Sequence, residues 1–297
     1  MAAAKQMDAR RTDCADRTGR ASQTNHTSRD VQAGRTKWTS RADQVALLTQ
    51  DLNELLRYWT ARKQDLLPAA GEQFISFVDP AFLYGVPPLI GPDDFSIMFT
   101  EWMLFEYIHL TKGTPAELYV SQLAEGIGPD RLARLRQVTT TQLFSRFIIR
   151  EKDQASGMAV LEDVQTSRRY DVFDPALCAN ERWSTGTIGE RIACVDGLWL
   201  PVGLVRLYDR ASPETTAIDG PGFFHPEDRS RKPEAEHASF YLRLVRDTIG
   251  IDGRYRHTAT IPSERMMPSD HTIPSERTTP LDRKVPRHPR TCPGNDG

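Results

Sequence analysis

The sequence has no apolar run of the roughly 18 to 20 residues needed to cross a bilayer, and its first forty residues lack the apolar stretch of a signal peptide. Neither a membrane span nor secretion is therefore expected. Cysteine is sparse, four residues at positions 14, 178, 194 and 292 with no C-x-x-C spacing, which predicts free thiols in a reducing cytoplasm. Lysine is scarcer still beside arginine, 7 against 31, a bias that fits coding preference as well as phosphate recognition. No P-loop, dinucleotide glycine fingerprint, G-x-S-x-G elbow or H-E-x-x-H is present, so the familiar nucleotide, hydrolase and zincin signatures are missing. Gly186-Thr-Ile-Gly189 is too short to cradle phosphate and predicts a bend in a sheet.

A basic face is lacking as well. The net charge is -2, but residues 41–250 hold 22 Lys/Arg against 30 Asp/Glu, an acidic body between mildly basic ends. A nucleic-acid domain needs clustered cations to replace phosphate counterions, so a protein partner is the expectation and nucleic acid is not.

What is present is organised. Residues 1–37 have almost no large apolar side chains and predict disorder, as does 251–297. The latter holds a short repeat, Thr260-Ile-Pro-Ser-Glu-Arg265 and Thr272-Ile-Pro-Ser-Glu-Arg277, which reads as a low-complexity tail or as a tandem peptide ligand. Between the ends, Val45, Leu48, Leu52, Leu55, Leu56 and Trp59 at helical spacing after Ser40 predict a helix over 41–63. Five prolines among aromatics over 66–92 predict an irregular segment with one helical turn near 72–78. Phe95 to Leu110 is apolar all round, the pattern of a buried central helix with Trp102 in its core. Gly113, Thr114, Pro115 and Glu117 spell a helix end followed by a capped start, and Gly128-Pro-Asp130 begins another helix.

The period then changes to two. Segments 144–150, 158–164, 169–174, 186–195 and 198–208 predict strands, with Asp196-Gly197 as a hairpin turn, and Pro233–Thr248 predicts a final helix. The fold class expected is α+β: a helical unit (38–143), then a small antiparallel β-roll or barrel with a C-terminal helix (144–250), flanked by disordered N- and C-terminal tails.

Glu101-Trp-Met-Leu-Phe-Glu-Tyr107, Gly113-Thr-Pro115 with Leu118, Leu143-Phe144, Leu161-Glu-Asp-Val-Gln-Thr166 with Tyr170 and Val172, and Glu190-Arg-Ile192 together resemble a family of uncharacterised bacterial proteins. The likeness covers roughly residues 95–205 and rests on a W-x-L-F-x-Y helix and a small β module. Some members of that family end in a SEC-C zinc-binding motif. Cys292 is the only cysteine here beyond residue 194, so that zinc site is absent. The resemblance implies no activity and no catalytic residue.

One constellation could carry chemistry. Glu106-Tyr-Ile-His109 and Glu234-Ala-Glu-His237 are both Glu-x-x-His, the spacing by which di-iron bundles place a carboxylate and an imidazole on one helical face, with Glu54 and Glu117 or Glu125 as further ligands. Against it, Glu234 sits in a charged first turn where carboxylates suit the helix dipole and stay in solvent. Glu101 and Glu106 lie about 140° apart on a helix, so they are no acid/base pair, and an Arg from the 131–136 helix is the expected partner if either is buried. The reading is a non-enzymatic protein-binding or adaptor module with no cofactor and no metal. The alternatives are a metal-dependent oxidoreductase using Glu106, His109, Glu234 and His237, and a hydrolase whose residues the sequence does not reveal.

Overall fold

The computed structural model describes residues 40–84, 91–122, 126–210, 213, 220–251 and 259–262. The disorder expected at 1–37 and along most of 251–297 lies outside them.

Helix α1 (Arg41–Ala61) starts at Ser40, whose hydroxyl accepts the Asp43 N–H, and buries Leu48, Leu52, Leu55 and Trp59 on one face. α2 (Lys63–Val78) replaces the irregular segment expected from the prolines, with Pro68 inside the helix. Leu66, Ala70, Phe74, Phe77 and Val78 form its buried face, and that packing outweighs the lost hydrogen bond, which costs about 3 kcal/mol. α3 (Pro92–Phe105) is the expected central helix but ends earlier than the apolar run, at Glu106. Its Trp102 is buried against Phe74 and Tyr107. α4 (Pro115–Gln122) opens with the predicted capping box: Glu117 accepts the Thr114 N–H at 2.9 Å and Thr114 accepts the Glu117 N–H at 3.3 Å. α5 (Pro129–Thr141) follows Gly128 and ends against the sheet, where the Thr141 hydroxyl accepts the Cys194 N–H.

The strands are β1 (Leu143–Asp153), β2 (Met158–Asp163), β3 (Arg169–Phe173), β4 (Thr187–Val195), β5 (Leu198–Pro201), β6 (Val205–Asp209) and β7 (Ala259–Pro262). A short helix α6 (Pro175–Ala179), capped by Asp174, joins β3 to β4. Strands β1-β2-β3-β5-β4 close into a barrel, because β4 pairs with β5 along one edge and with β1 along the other. The seam is one parallel pair, Val172 with Trp199. Both turn residues of the β4–β5 hairpin, Asp196 and Gly197, have positive φ, as the Asp-Gly signal requires. The single strand expected over 198–208 is two strands, broken at Val202–Leu204, so that β5 pairs with the end of β4 and β6 with its beginning.

Phe147, Leu161, Val172, Ile188 and Ile192 fill the barrel. Leu135, Val138, Ala193 and Val195 join the core between the helices and the outer face of β4. The last helix expected, over 233–248, is split. A 3-10 turn (Pro233–Glu236) precedes α8 (Phe240–Ile249), which restarts at Ser239, whose hydroxyl accepts the Leu242 N–H. A one-turn α7 (Asp228–Arg231) lies before it. Among the described helices none is long and apolar enough to cross a membrane. Cys178 is a free, buried thiol, and Cys194 is buried on β4; Cys14 and Cys292 lie outside the described residues.

Candidate functional site

The early end of α3 leads into the one place among the described residues where two consecutive non-glycine residues, Leu110 and Thr111, have positive φ. Glu106 closes the helix, and residues 107–113 turn back on themselves before Thr114 caps α4. The root of this loop is buried charge. Glu101, fully buried, accepts hydrogen bonds from Arg191 Nε on β4 at 3.0 Å and from the backbone N–H groups of Leu204 and Val205 at 2.6 and 2.7 Å. Arg191 also donates to Glu106 at 2.6 Å and to Gln142. The rings of Phe105, Phe144 and Tyr241 surround its guanidinium at 5.1 to 5.5 Å. Burial pushes the Glu101 carboxyl up, while Arg191 and the two backbone donors pull it back. The expected partner was an arginine of the 131–136 helix. Arg131 and Arg134 bind Asp51 of α1 instead, because α5 packs on α1.

From this root the loop reaches the surface. Tyr107 donates its N–H to Trp102 O, and His109 donates to Gly113 O at 2.9 Å. Leu110 and Thr111 both have left-handed backbones, φ 49° and 61°, which cost a non-glycine residue about 1 to 3 kcal/mol each. The outcome is that Ile108 is 54 % exposed and Leu110 66 % exposed, with Lys112 exposed beside them. Such strain persists only where the surroundings enforce it, and here the ion cluster below and the capping box above do so. Glu106 Oε2 and His109 Nδ1 are buried without a hydrogen-bond partner among the described residues.

The structure does not bring the two Glu-x-x-His motifs together. Glu106 ends α3 and His109 lies in a separate 3-10 turn, so they share no helical face. Glu234 and His237 sit on and after the 3-10 turn before α8, both exposed. Among the described residues no three His, Cys, Asp or Glu side chains form a group able to hold a metal, so Glu106, His109, Glu234 and His237 are not gathered into one. Glu54 is held by Arg131 and Glu117 by its capping role, and Glu125 lies outside the described residues.

Two other places hold charge. Inside the barrel, Glu190 points between Ile188 and Ile192 with Ser145 opposite it. Arg206 Nε approaches it at 3.4 Å without making a hydrogen bond, while Arg206 Nη2 donates to Asp174 at 2.5 Å. Burial, with Asp174 and Glu101 nearby, pushes the Glu190 carboxyl up to about 7 despite Arg206. A cavity of about 40 Å³ lies where α2 and α8 end, but its Arg246 already binds Asp228 at 3.0 Å and Asp247 at 2.8 Å.

The chain matches no protein-family model, no curated protein and no solved structure. Sequence reasoning missed Ile108, Leu110 and Arg191. Ile108 and Leu110 were absorbed into the apolar run of the central helix. The signal that separates them is Gly113-Thr114, since a helix end and a new cap need several residues of turn before them.

Proposed function

We propose that this chain is a non-enzymatic protein-binding module that meets its partner through the 106–113 loop. The observation that carries this is the pair Ile108 and Leu110, held out in water by a strained backbone rooted in buried charge. Covering two such side chains contributes about 1.5 to 3 kcal/mol each, and a preorganised loop loses little entropy on docking. The partner surface is an apolar cleft with an acidic rim to receive Lys112. The same reading sets the protein in the cytoplasm. The free Cys178 thiol supports that setting, and thiol counting on protein taken directly from cells tests it.

The test is crosslinking capture in cells with the native chain, an Ile108→Asp/Leu110→Asp variant and a His237→Ala control. A specific protein should be captured by the native chain and the control and lost from the loop variant. Once purified, it should bind the native chain at least tenfold more tightly than the variant. Equal capture by all three chains overturns the proposal, as does loop-dependent attachment to anionic lipid vesicles in place of a protein.

A further inference from the structure

Helix α2 runs beside the 106–113 loop. Trp59, near the end of α1, donates its indole N–H to Pro115 O just past the loop at 2.9 Å, and α2 sets out from there. Further along α2, the Phe74 ring meets Trp102, which meets Tyr107 at the other end of the loop. On its outer side α2 carries Leu67 and Ile75, each 39 % exposed, with Gly71 midway at intervals of four, which sets the three in one stripe. A Cβ on Gly71 would meet nothing within 4 Å, so the stripe holds a notch between two apolar side chains. Asp65 and Glu72, seven residues apart and so on one line beside the stripe, are exposed and pair with no cation among the described residues. A notch between apolar side chains with an acidic margin is the complement of Ile108, Leu110 and Lys112. Together, the stripe and the loop hold four of the six large apolar side chains exposed among the described residues: Leu67, Ile75, Ile108 and Leu110.

We propose that the partner of the loop is a second copy of this chain, with the apolar tip of one copy seated at Gly71 of the other and Lys112 facing the acidic line of Asp65 and Glu72. This rests on the loop reading above and names its occupant. Because stripe and loop lie side by side, each copy offers both halves of the contact, and the two contacts are made together across a two-fold axis. That arrangement closes a dimer, whereas a single head-to-tail contact would propagate into a filament. Two small apolar seats with charged margins make an interface at the low end of the specific size range, so the dimer should dissociate on the order of 10 µM.

Sedimentation velocity of the full chain, from about 1 to about 200 µM, reads this out. The native chain should pass from monomer to dimer across that range, and a His237→Ala control should match it. Gly71→Lys fills the notch and sets a cation against Lys112, so it should weaken association at least tenfold. Its melting temperature should not fall, since the new side chain has open space and lysine is the better helix former. Lys112→Glu and the pair Asp65→Lys/Glu72→Lys, all at exposed positions, should each weaken the dimer about tenfold, because every change acts twice across the axis. All three changes in one chain should restore it, since the charges are then exchanged across the contact. A chain that stays monomeric at every concentration overturns the second copy as partner. Loop-dependent capture of a protein of another sequence, beside such a monomer, leaves the loop reading in place, and its absence removes both. A dimer that survives Gly71→Lys, or a charge exchange that restores nothing, overturns the α2 seat.

Discussion

Glu190 is a residue whose chemistry is set by its surroundings. Its carboxyl, raised to about 7, keeps a proton that the unfolded chain releases near the ordinary value of 4.5. Folding therefore binds the extra proton, and this contribution to stability is full below about pH 4.5, falls as pH rises and is lost above about 7. The amount is on the order of 3 kcal/mol. Glu190→Gln should flatten that slope in denaturant titrations between pH 5 and 8 and stabilise the protein at pH 8. An unchanged slope would mean that Glu190 stays ionised in its pairing with Arg206. Trp102 is simpler. Trp102→Ala should cost about 3 to 5 kcal/mol, the range for emptying a large aromatic site, and a cost below about 1 kcal/mol would contradict its buried place. Gly203 has a steric duty, since a Cβ there would lie 2.9 Å from both Glu101 Oε1 and Arg191 Cβ. Gly203→Ala should destabilise by about 1 to 3 kcal/mol, and a neutral result in thermal unfolding would show that the cluster has slack. The burial of Trp102 was legible because apolar residues surround it in sequence. The Glu101 partner was not, because Arg191 lies ninety residues away and sequence spacing carries no sign of it.

At the scale of elements, local chemistry was readable wherever it was local. Ser40, the Thr114–Glu117 box and the Asp196-Gly197 turn all act where their spacing says they should. Thr114→Ala should cost about 1 kcal/mol of stability, as loss of an N-cap does, and because the cap holds one end of the 106–113 loop, it should also raise amide exchange at 109–112. Unchanged exchange there would mean that the ion cluster alone fixes the loop. Misreadings arose where tertiary packing overrode a local rule. Pro68 pointed to irregular chain, yet one buried face from Leu66 to Val78 made a helix. The apolar run to Leu110 pointed to a longer α3, yet the Arg191 contact with Glu106 and the cap at Thr114 turned its last residues outward. The break between β5 and β6 is of the same kind, since Glu101 captures the Leu204 and Val205 N–H groups.

For the whole molecule, the change from helical period to strand period made the α+β order legible. A roll or barrel was legible too, but not its strand pairing, because the β3–β5 seam and the added β6–β7 pair join segments by main-chain hydrogen bonds that leave no pattern in side chains. The account turns on one claim: helices and barrel form a single cooperative body locked through Glu101 and Arg191, with the Ile108–Leu110 loop as its outward face. A double-mutant cycle with Glu101→Gln and Arg191→Met, followed in denaturant by one probe of the helices and one of the barrel, tests it directly. Each single change should cost about 3 to 5 kcal/mol, because it strands a buried charged or polar partner. The double change should cost at least about 2 kcal/mol less than their sum, with both probes moving in one transition. A coupling below about 0.5 kcal/mol, or helices and barrel melting separately, would contradict the claim.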